Sequence, residues 1–269
     1  MDKDIESTAA AAARYLVEAR LARRQIDELP AQYVPADLEA GYAIQAFVVE
    51  RLLEQWGARR VGYKIACTNE HAQALLNSPG PVLGQLLSTV VHRSPASLPA
   101  AQFIHRVIEP EFAFEMASDV TEPAAAITGQ SVAEHVGRVM PAIEIVDYRF
   151  PDMDRYTAAT LAADNALTGA WVHGEGITDW QGIDLAAEPV SLEVNGKTLR
   201  RGSGAAVLGH PLHALAWLAA ELSARGERLR AGDMVTTGVC TDIYLAQPGD
   251  HLESHFGALG SVTLSLPAD

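Results

Sequence analysis

The sequence predicts an α+β protein in which a helical segment precedes a larger β-rich body, and three observations carry that expectation. Apolar residues in the first sixty positions recur at helical steps. From Val61 onward the chain breaks into short β-like runs punctuated by Gly and Pro. Between two such runs stands Asn195-Gly196, the preferred two-residue hairpin turn, because both positions tolerate φ > 0.

Residues 4 to 26 are rich in alanine, and Ile5, Ala9, Ala12, Leu16 and Ala19 follow one another at steps of three and four, which predicts an amphipathic helix. A second helix is predicted from Asp37 to Trp56, with Leu38, Tyr42, Val49, Leu52, Leu53 and Trp56 on one stripe and Gly57 as its stop. The Pro-containing stretch from Leu29 to Pro35 separates the two. Residues 1–60 therefore read as an N-terminal helical subdomain and residues 61–269 as the main domain. In that domain strands are predicted over Arg60 to Ala66, Glu109 to Met116, Ala142 to Val146, Ala170 to His173 and Val190 to Val194. Further strands follow at Met234 to Thr237, His251 to Phe256 and Ser261 to Leu266. Two helices are expected to interrupt them: Ser131 to Met140, opened by a capping box of Ser131 and Glu134, and Leu212 to Arg225, closed by Gly226.

With 269 residues, 48% of them hydrophobic, the chain can bury a sizeable core. Acidic residues outnumber basic ones 34 to 20, the formal net charge is −14, and no Lys/Arg cluster offers a phosphate-tracking stripe. Nucleic acid and anionic membranes are excluded as expected partners. The same charge repels a small anionic substrate at long range, so a site for one requires a local cation or a bound metal. Cys67 and Cys240 have neither CxxC nor Cys/His metal spacing and give no disulfide framework. The opening Met1-Asp2-Lys3-Asp4 lacks a secretory pattern, and no window reaches the ~18 uncharged apolar residues of a membrane span. The expected location is cytoplasmic.

In the run from Ile108 to Met116, the two-residue period of a strand puts Glu109, Glu111, Ala113 and Glu115 on one face and Pro110, Phe112, Phe114 and Met116 on the other. Two glutamates one pleat apart repel by about 3 kcal/mol at about 5 Å and an effective dielectric near 20. Solvent offsets that cost on an exposed face, and a hard divalent cation does so in a pocket. Both readings stand for the pair alone. Glu144, an acid within the apolar run Pro141 to Val146, adds weight to the metal reading. Lys64, in Val61-Gly62-Tyr63-Lys64-Ile65-Ala66, is either a snorkelling surface residue or a functional cation. Asp164-Asn165 is a turn or a polar pair at a pocket wall.

Other signals reduce to structure. His251, Glu253 and His255 share one face of a strand and read as solvated, and His210 and His213 flank a helix start where they cap or pack. Gly202, Gly204 and Gly209 fit neither phosphate-binding spacing, and no GxSxG elbow occurs, so no nucleotide cofactor is indicated.

Taken in order, six motifs resemble the 2-keto-4-pentenoate hydratase and 4-oxalocrotonate decarboxylase group of the fumarylacetoacetase superfamily. They are Gly62-Tyr63-Lys64-Ile65, Ile108 to Ala113, Ala142 to Asp147, Ala163-Asp164-Asn165-Ala166, Gly202 to Pro211 and Leu229 to Asp233. The resemblance implies a mixed β-sandwich roll with an N-terminal helical subdomain, a catalytic domain over residues 61–269, and assembly into homo-oligomers. It further implies that Glu109, Glu111 and Glu144 hold Mg²⁺ or Mn²⁺, that Lys64 is the catalytic and substrate-contacting lysine, and that Asn165 and Thr168 form part of the substrate pocket. One departure stands out: where some hydratases carry an acid, this chain has Val82, so an acid/base role there has no carrier. Thr168 replaces a serine of some relatives and Leu167 a polar neighbour.

The implied activity is that of a hydratase acting on a small 2-hydroxy-2,4-dienoate through its 2-oxo-3-enoate tautomer, in aromatic or related catabolism. The alternative is a 4-oxalocrotonate-type decarboxylase, which needs a cation for the second carboxylate, and Arg106, Arg149 and Arg155 are its candidates. A catalytically silent oligomeric partner or scaffold is the reading from another class, since members of this group can associate with a pathway partner of the same family.

Overall fold

The computed structural model describes residues 3–268, with side chains from Thr8 onward. Local chemistry sets the first elements. Helix α1 spans Lys3–Leu21 and helix α2 Leu38–Trp56; the Asp37 carboxylate accepts the Ala40 N–H at the start of α2, and Gly57, at φ 58°, closes it. Ala9, Ala12, Leu16 and Ala19 are buried as the stripe predicts, whereas the side chain of Ile5 lies outside the described residues. α1 ends at Leu21 rather than near residue 26, because Arg23 turns into the left-handed region and Ile26 hydrogen-bonds Arg149 O instead.

The remaining helices are short except the last: α3 Glu70–Leu75, α4 Gly129–Ala133, α5 Ala158–Ala163 and α6 Pro211–Ala224. α6 begins where His210 Nδ1 accepts from Leu212 N, so His210 caps as expected. The strands are β1 Arg60–Ala66, β2 Val82–Leu87, β3 Val91–Arg93, β4 Ala96–Ser97, β5 Val107–Met116, β6 Val136–Val146 and β7 Thr168–His173. They continue as β8 Pro189–Val194, β9 Lys197–Ser203, β10 Met234–Val239, β11 Tyr244–Leu245, β12 His251–Phe256 and β13 Ser261–Ser265. β8 and β9 form the predicted hairpin, with Asn195 at φ 52° and Gly196 at φ 77°.

These elements make a mixed α/β fold. One sheet has the order β2-β1-β10-β5-β6-β7-β3, with β11 paired to β5, and a second has the order β4-β13-β12-β8-β9. β5 is flanked on both sides by antiparallel partners, β10 and β6, which makes it a central strand, and Glu111 and Ala113 on its acid-bearing face are buried. Helix α2 packs on α1 and α5 and is tied down by Gln45, whose amide donates to Leu83 O and Ala162 O. Among the described residues no helix is long and apolar enough to cross a membrane.

The helix expected over Ser131 to Met140 is not formed. Thr128, not Ser131, caps α4, and the helix stops after Ala133. Val136 to Met140 instead extends β6, paired residue by residue with β5 from Met116 back to Ala113. The ladder available on β5 outweighs a local helical preference that β-branched Val136 and Val139, together with Gly137, already weaken. His251 is exposed and Glu253 and His255 partly so, with their neighbours Leu252, Ser254 and Phe256 buried, which is the solvated face expected there.

Candidate metal centre and active-site cavity

Strand pairing converts three separated acids into one cluster. Glu109 stands directly opposite Glu144 across β5 and β6, and Glu111 opposite Ala142, so all three carboxylates rise from the same sheet face. One oxygen from each lies within 4.8 Å of the others. Glu111 and Glu144 are fully buried, while Glu109 opens to a cavity. Lys64 reaches the cluster from β1: its Nζ is 2.8 Å from Glu144 Oε1 and donates to Ala166 O at 2.8 Å. At 2% exposure this lysine is not a snorkelling residue. Thr236, beside Lys64 in the β1–β10 register, donates its hydroxyl to Glu111 Oε2.

Three carboxylates against one ammonium leave the cluster over-acidic, and Glu111 Oε1 and Glu144 Oε2 have no hydrogen-bond partner among the described residues. Burial raises the Glu109 carboxyl to about 7, with Lys64 opposing and Glu144 reinforcing. Glu111 is pushed well above the ordinary carboxylate range by burial, by Glu144 and by Glu109, and Glu144 is raised by burial against the pull of Lys64. Burial alone would lower Lys64, but Glu144, Glu109 and Glu111 outweigh it and the ammonium is held charged. Converging carboxylate oxygens with open lone pairs fit a hard divalent cation such as Mg²⁺ or Mn²⁺, which would neutralise the excess charge.

The cavity beside the cluster has a volume of about 70 Å³. It is lined by the charged Lys64 and Glu109, by the polar Thr68 and Asn69, and by apolar side chains that include Leu75, Leu76, Met153 and Leu161. Among the described residues lining it, Lys64 is the one cation. Arg106 is spent on the carbonyls of Ala246, Ala100 and Phe103, and Arg155 on Asp27 O. Arg149 is locked in a second buried ionic cluster with Asp164 and Asp147, which Arg20 joins through Asp164 at 3.1 Å and Thr168 O at 2.8 Å.

Of the predicted site residues, the fold gathers Lys64, Glu109, Glu111 and Glu144, and it does not bring Asn165 or Thr168 to the cavity wall. The Asn165 amide is consumed by the Gln85 backbone, accepting from Gln85 N at 2.8 Å and donating to Gln85 O at 2.9 Å. Thr168 Oγ1 donates to Asn165 O at 3.1 Å and faces a separate cleft with Arg20 and Asp147. Both serve the turn between them, where Asn165, Ala166 and Leu167 all occupy the left-handed region at φ 51°, 49° and 61°. Ala166 and Leu167 are the residues of this turn that line the cavity. Val82 is fully buried on β2 opposite Ala66, away from the lining. Thr68 and Thr236 escape sequence reasoning, since a lone threonine in an apolar run carries no pattern. Cys67 and Cys240 are free and buried, and burial raises the Cys67 thiol to about 11.

Comparison with known proteins gives a consistent result. The model of the fumarylacetoacetate (FAA) hydrolase C-terminal family matches residues 61–266. The chain is 34% identical over 265 residues to a 2-keto-4-pentenoate hydratase of Paraburkholderia phymatum, covering 98% of each. It is 30% identical over 253 residues to a 4-oxalocrotonate decarboxylase of Pseudomonas putida, covering 94% of each. Among solved structures, the 4-oxalocrotonate decarboxylase from Pseudomonas putida G7 complexed with magnesium and adipate superposes with a TM-score of 0.89 at 27% identity, covering 97% of each chain.

Proposed function

This chain belongs to the fumarylacetoacetate hydrolase C-terminal family, and from that premise we propose that it is a metal-dependent lyase, a hydratase that adds water to a small 2-hydroxy-2,4-dienoate through its 2-oxo-3-enoate tautomer. The product is a 4-hydroxy-2-oxo acid. Glu109, Glu111 and Glu144 hold the metal in this reading, Lys64 is the catalytic cation, and Asn165 and Thr168 act as positioning residues for the turn that carries Ala166 and Leu167. A divalent ion there supplies Lewis-acid polarisation of a 2-oxo group and neutralises developing negative charge.

The chain's own groups account for the rest. Lys64, held charged and fixed between Glu144 and Ala166 O, attracts the substrate carboxylate into an otherwise acidic molecule. Its Nζ is also placed to hold or move the proton exchanged at the 2-oxygen. The apolar wall of Leu75, Leu76, Met153 and Leu161 accepts the hydrocarbon end and keeps bulk water from the dienol.

The single observation that favours hydration over decarboxylation is that wall. A 2-oxo-3-enedioate brings a second carboxylate, and Arg106, Arg149 and Arg155, the cations that could receive it, are all committed elsewhere. The relatives include both activities, so kinetics decides between them. Absorbance loss of 2-hydroxypenta-2,4-dienoate and, in parallel, of 2-oxohex-3-enedioate is measured with Mg²⁺ or Mn²⁺, then with EDTA, then for Glu111→Ala. Metal-dependent turnover of the first alone supports the hydratase, and of the second alone replaces it by the decarboxylase. No turnover of either moves the reading to another oxo-acid substrate or to a silent partner.

The finer architecture belongs to the same proposal: a β-sandwich roll with residues 1–60 as a helical subdomain and 61–269 as the catalytic domain. The family match beginning at residue 61 supports that division. A cytoplasmic homo-oligomer, able to associate with a pathway partner of the same family, completes the reading, and light scattering on the purified protein tests the assembly.

A further inference from the structure

Besides its charged and apolar lining, the cavity wall carries two uncharged polar side chains, Thr68 and Asn69. Asn69 is committed, since its Oδ1 accepts the Ala72 N–H at 2.8 Å and caps α3. Thr68 is only 2% exposed, yet its hydroxyl makes no hydrogen bond to any described residue. A hydroxyl has one donor and two acceptor positions, and a native interior rarely leaves all of them idle.

The placement of this hydroxyl is built by its surroundings. Cys67, at φ 58°, turns the chain sharply after β1, and Leu208 N donates to Thr68 O at 2.9 Å to pin the backbone. Across from it Gly238, at φ 100°, also lines the cavity, and a Cβ at that position would lie 2.0 Å from Thr68 Oγ1. Glycine at 238 therefore leaves room for an oxygen that bonds nothing in the protein. Val82 is sealed in the core on β2, and Glu109, assigned to the metal in the proposed function, is the one acidic side chain among the described residues lining the cavity.

We propose that Thr68 holds the water that adds to C4 of the 2-oxo-3-enoate, its Oγ1 accepting one water hydrogen so that the water lone pair faces carbon. The inference rests on the hydratase reading. In this inference the 1-carboxylate and 2-oxo group meet Lys64 and C4 lies beside Thr68, which lines the same cavity. The step balances without a further reactant: the water oxygen bonds to C4, the C3=C4 π pair moves to the C2–O enolate, and collapse of the enolate puts the water's proton on C3. Thr68 exchanges hydrogen bonds during the step and ends unchanged.

The test uses the full-length, metal-loaded enzyme and separates two steps by NMR in D₂O: ketonisation of 2-hydroxypenta-2,4-dienoate and appearance of 4-hydroxy-2-oxopentanoate. Thr68→Val keeps the shape and removes the hydroxyl, so hydration should fall by about 100-fold or more while ketonisation stays near the wild-type rate and 2-oxopent-3-enoate accumulates. Thr68→Ser should restore hydration, and Mn²⁺ affinity read by electron paramagnetic resonance should be unchanged in both variants. If Thr68→Val folds poorly, Thr68→Ala should give the same split. Hydration at the wild-type rate in the hydroxyl-free variants, or an equal fall of both steps, overturns the inference. A wild-type enzyme inactive on the dienoate sinks the hydratase reading and this inference with it.

Discussion

Two buried ionic clusters lie side by side in this protein, and they are built on opposite principles. Glu109, Glu111, Glu144 and Lys64 set three carboxyl groups against one ammonium, with two carboxylate oxygens left without hydrogen-bond partners among the described residues. Arg20, Arg149, Asp147 and Asp164 carry two charges of each sign. There every carboxylate oxygen has a hydrogen-bond or ion-pair partner: Asp164 meets Arg20, Arg149 and Tyr156, and Asp147 meets His105 N and Arg149. The Asp164, Tyr156 and Asp147 side chains overcome burial and hold Arg149 above its ordinary range. The clusters share elements, since Glu144 and Asp147 leave the same end of β6 and the turn after α5 offers Asp164 to Arg149 and Ala166 O to Lys64. A charge-balanced cluster braces the turn, with Arg20 Nε and Arg149 Nη2 its atoms without a hydrogen-bond partner among the described residues, and the over-acidic one leaves carboxylate oxygens for a ligand to complete.

The sharpest way to break that contrast is to disarm each cluster in turn. Arg149→Met leaves Asp164 and Asp147 buried beside fewer cations, and the expected cost is about 3–5 kcal/mol, read by urea denaturation. Glu111→Gln should act in the opposite sense on stability. It removes one of three repelling carboxylates, so the metal-free protein is expected to gain about 1–3 kcal/mol, while Mn²⁺ affinity drops about 100-fold or more and turnover is lost. A Glu111→Gln protein destabilised as much as Arg149→Met would erase the distinction between the two clusters.

The same imbalance predicts a pH dependence. A carboxyl whose folded value is raised favours the native state while protonated, so its contribution is fully present below the unfolded value and lost as pH rises through the folded one. With Glu109 at about 7 and Glu111 and Glu144 also raised, the metal-free protein should lose stability between about pH 5 and pH 8. Saturating Mg²⁺ removes the penalty, so the difference in Tm between Mg²⁺- and EDTA-treated samples should widen across that range. A constant difference would mean that the carboxylates are not the groups the metal displaces protons from.

The two clusters also differ in how far they could be read from sequence. The acid-bearing face was legible because Glu109 and Glu111 obey a local two-residue period and Glu144 interrupts an apolar run, and the cross-strand register then brings Glu144 opposite Glu109. The brace was not legible, because Arg149 and Asp164 meet through a loop and a short helix that impose no period. The same limit explains Asn165 and Thr168, whose motif pointed to a pocket but whose side chains serve the backbone. It also explains β6, where Val136 to Met140 is recruited into a sheet by a partner, Ala113 to Met116, that lies outside any local window. The helix before Gly57 and the Asn195-Gly196 turn were legible because their determinants lie within a few residues, whereas the capping box expected at Ser131 and Glu134 gave way to Thr128 and the β6 ladder.

The smallest expected effect concerns the turn that both clusters hold. Ala166 sits at φ 49°, a conformation that costs an L-residue about 1–2 kcal/mol and costs glycine nothing, while glycine loses about 0.5–1 kcal/mol more in chain entropy on folding. Ala166→Gly should therefore stabilise the protein by about 0.5–1 kcal/mol, a rise in Tm of about 2 °C. Turnover should nevertheless fall a few-fold, because the Ala166 carbonyl fixes Lys64 Nζ at 2.8 Å and a looser turn holds that ammonium less well against Glu144. Stability and activity moving in opposite directions would show that the left-handed turn is strain retained for the site. A variant that gains both would assign the geometry to the Arg149–Asp164 brace alone.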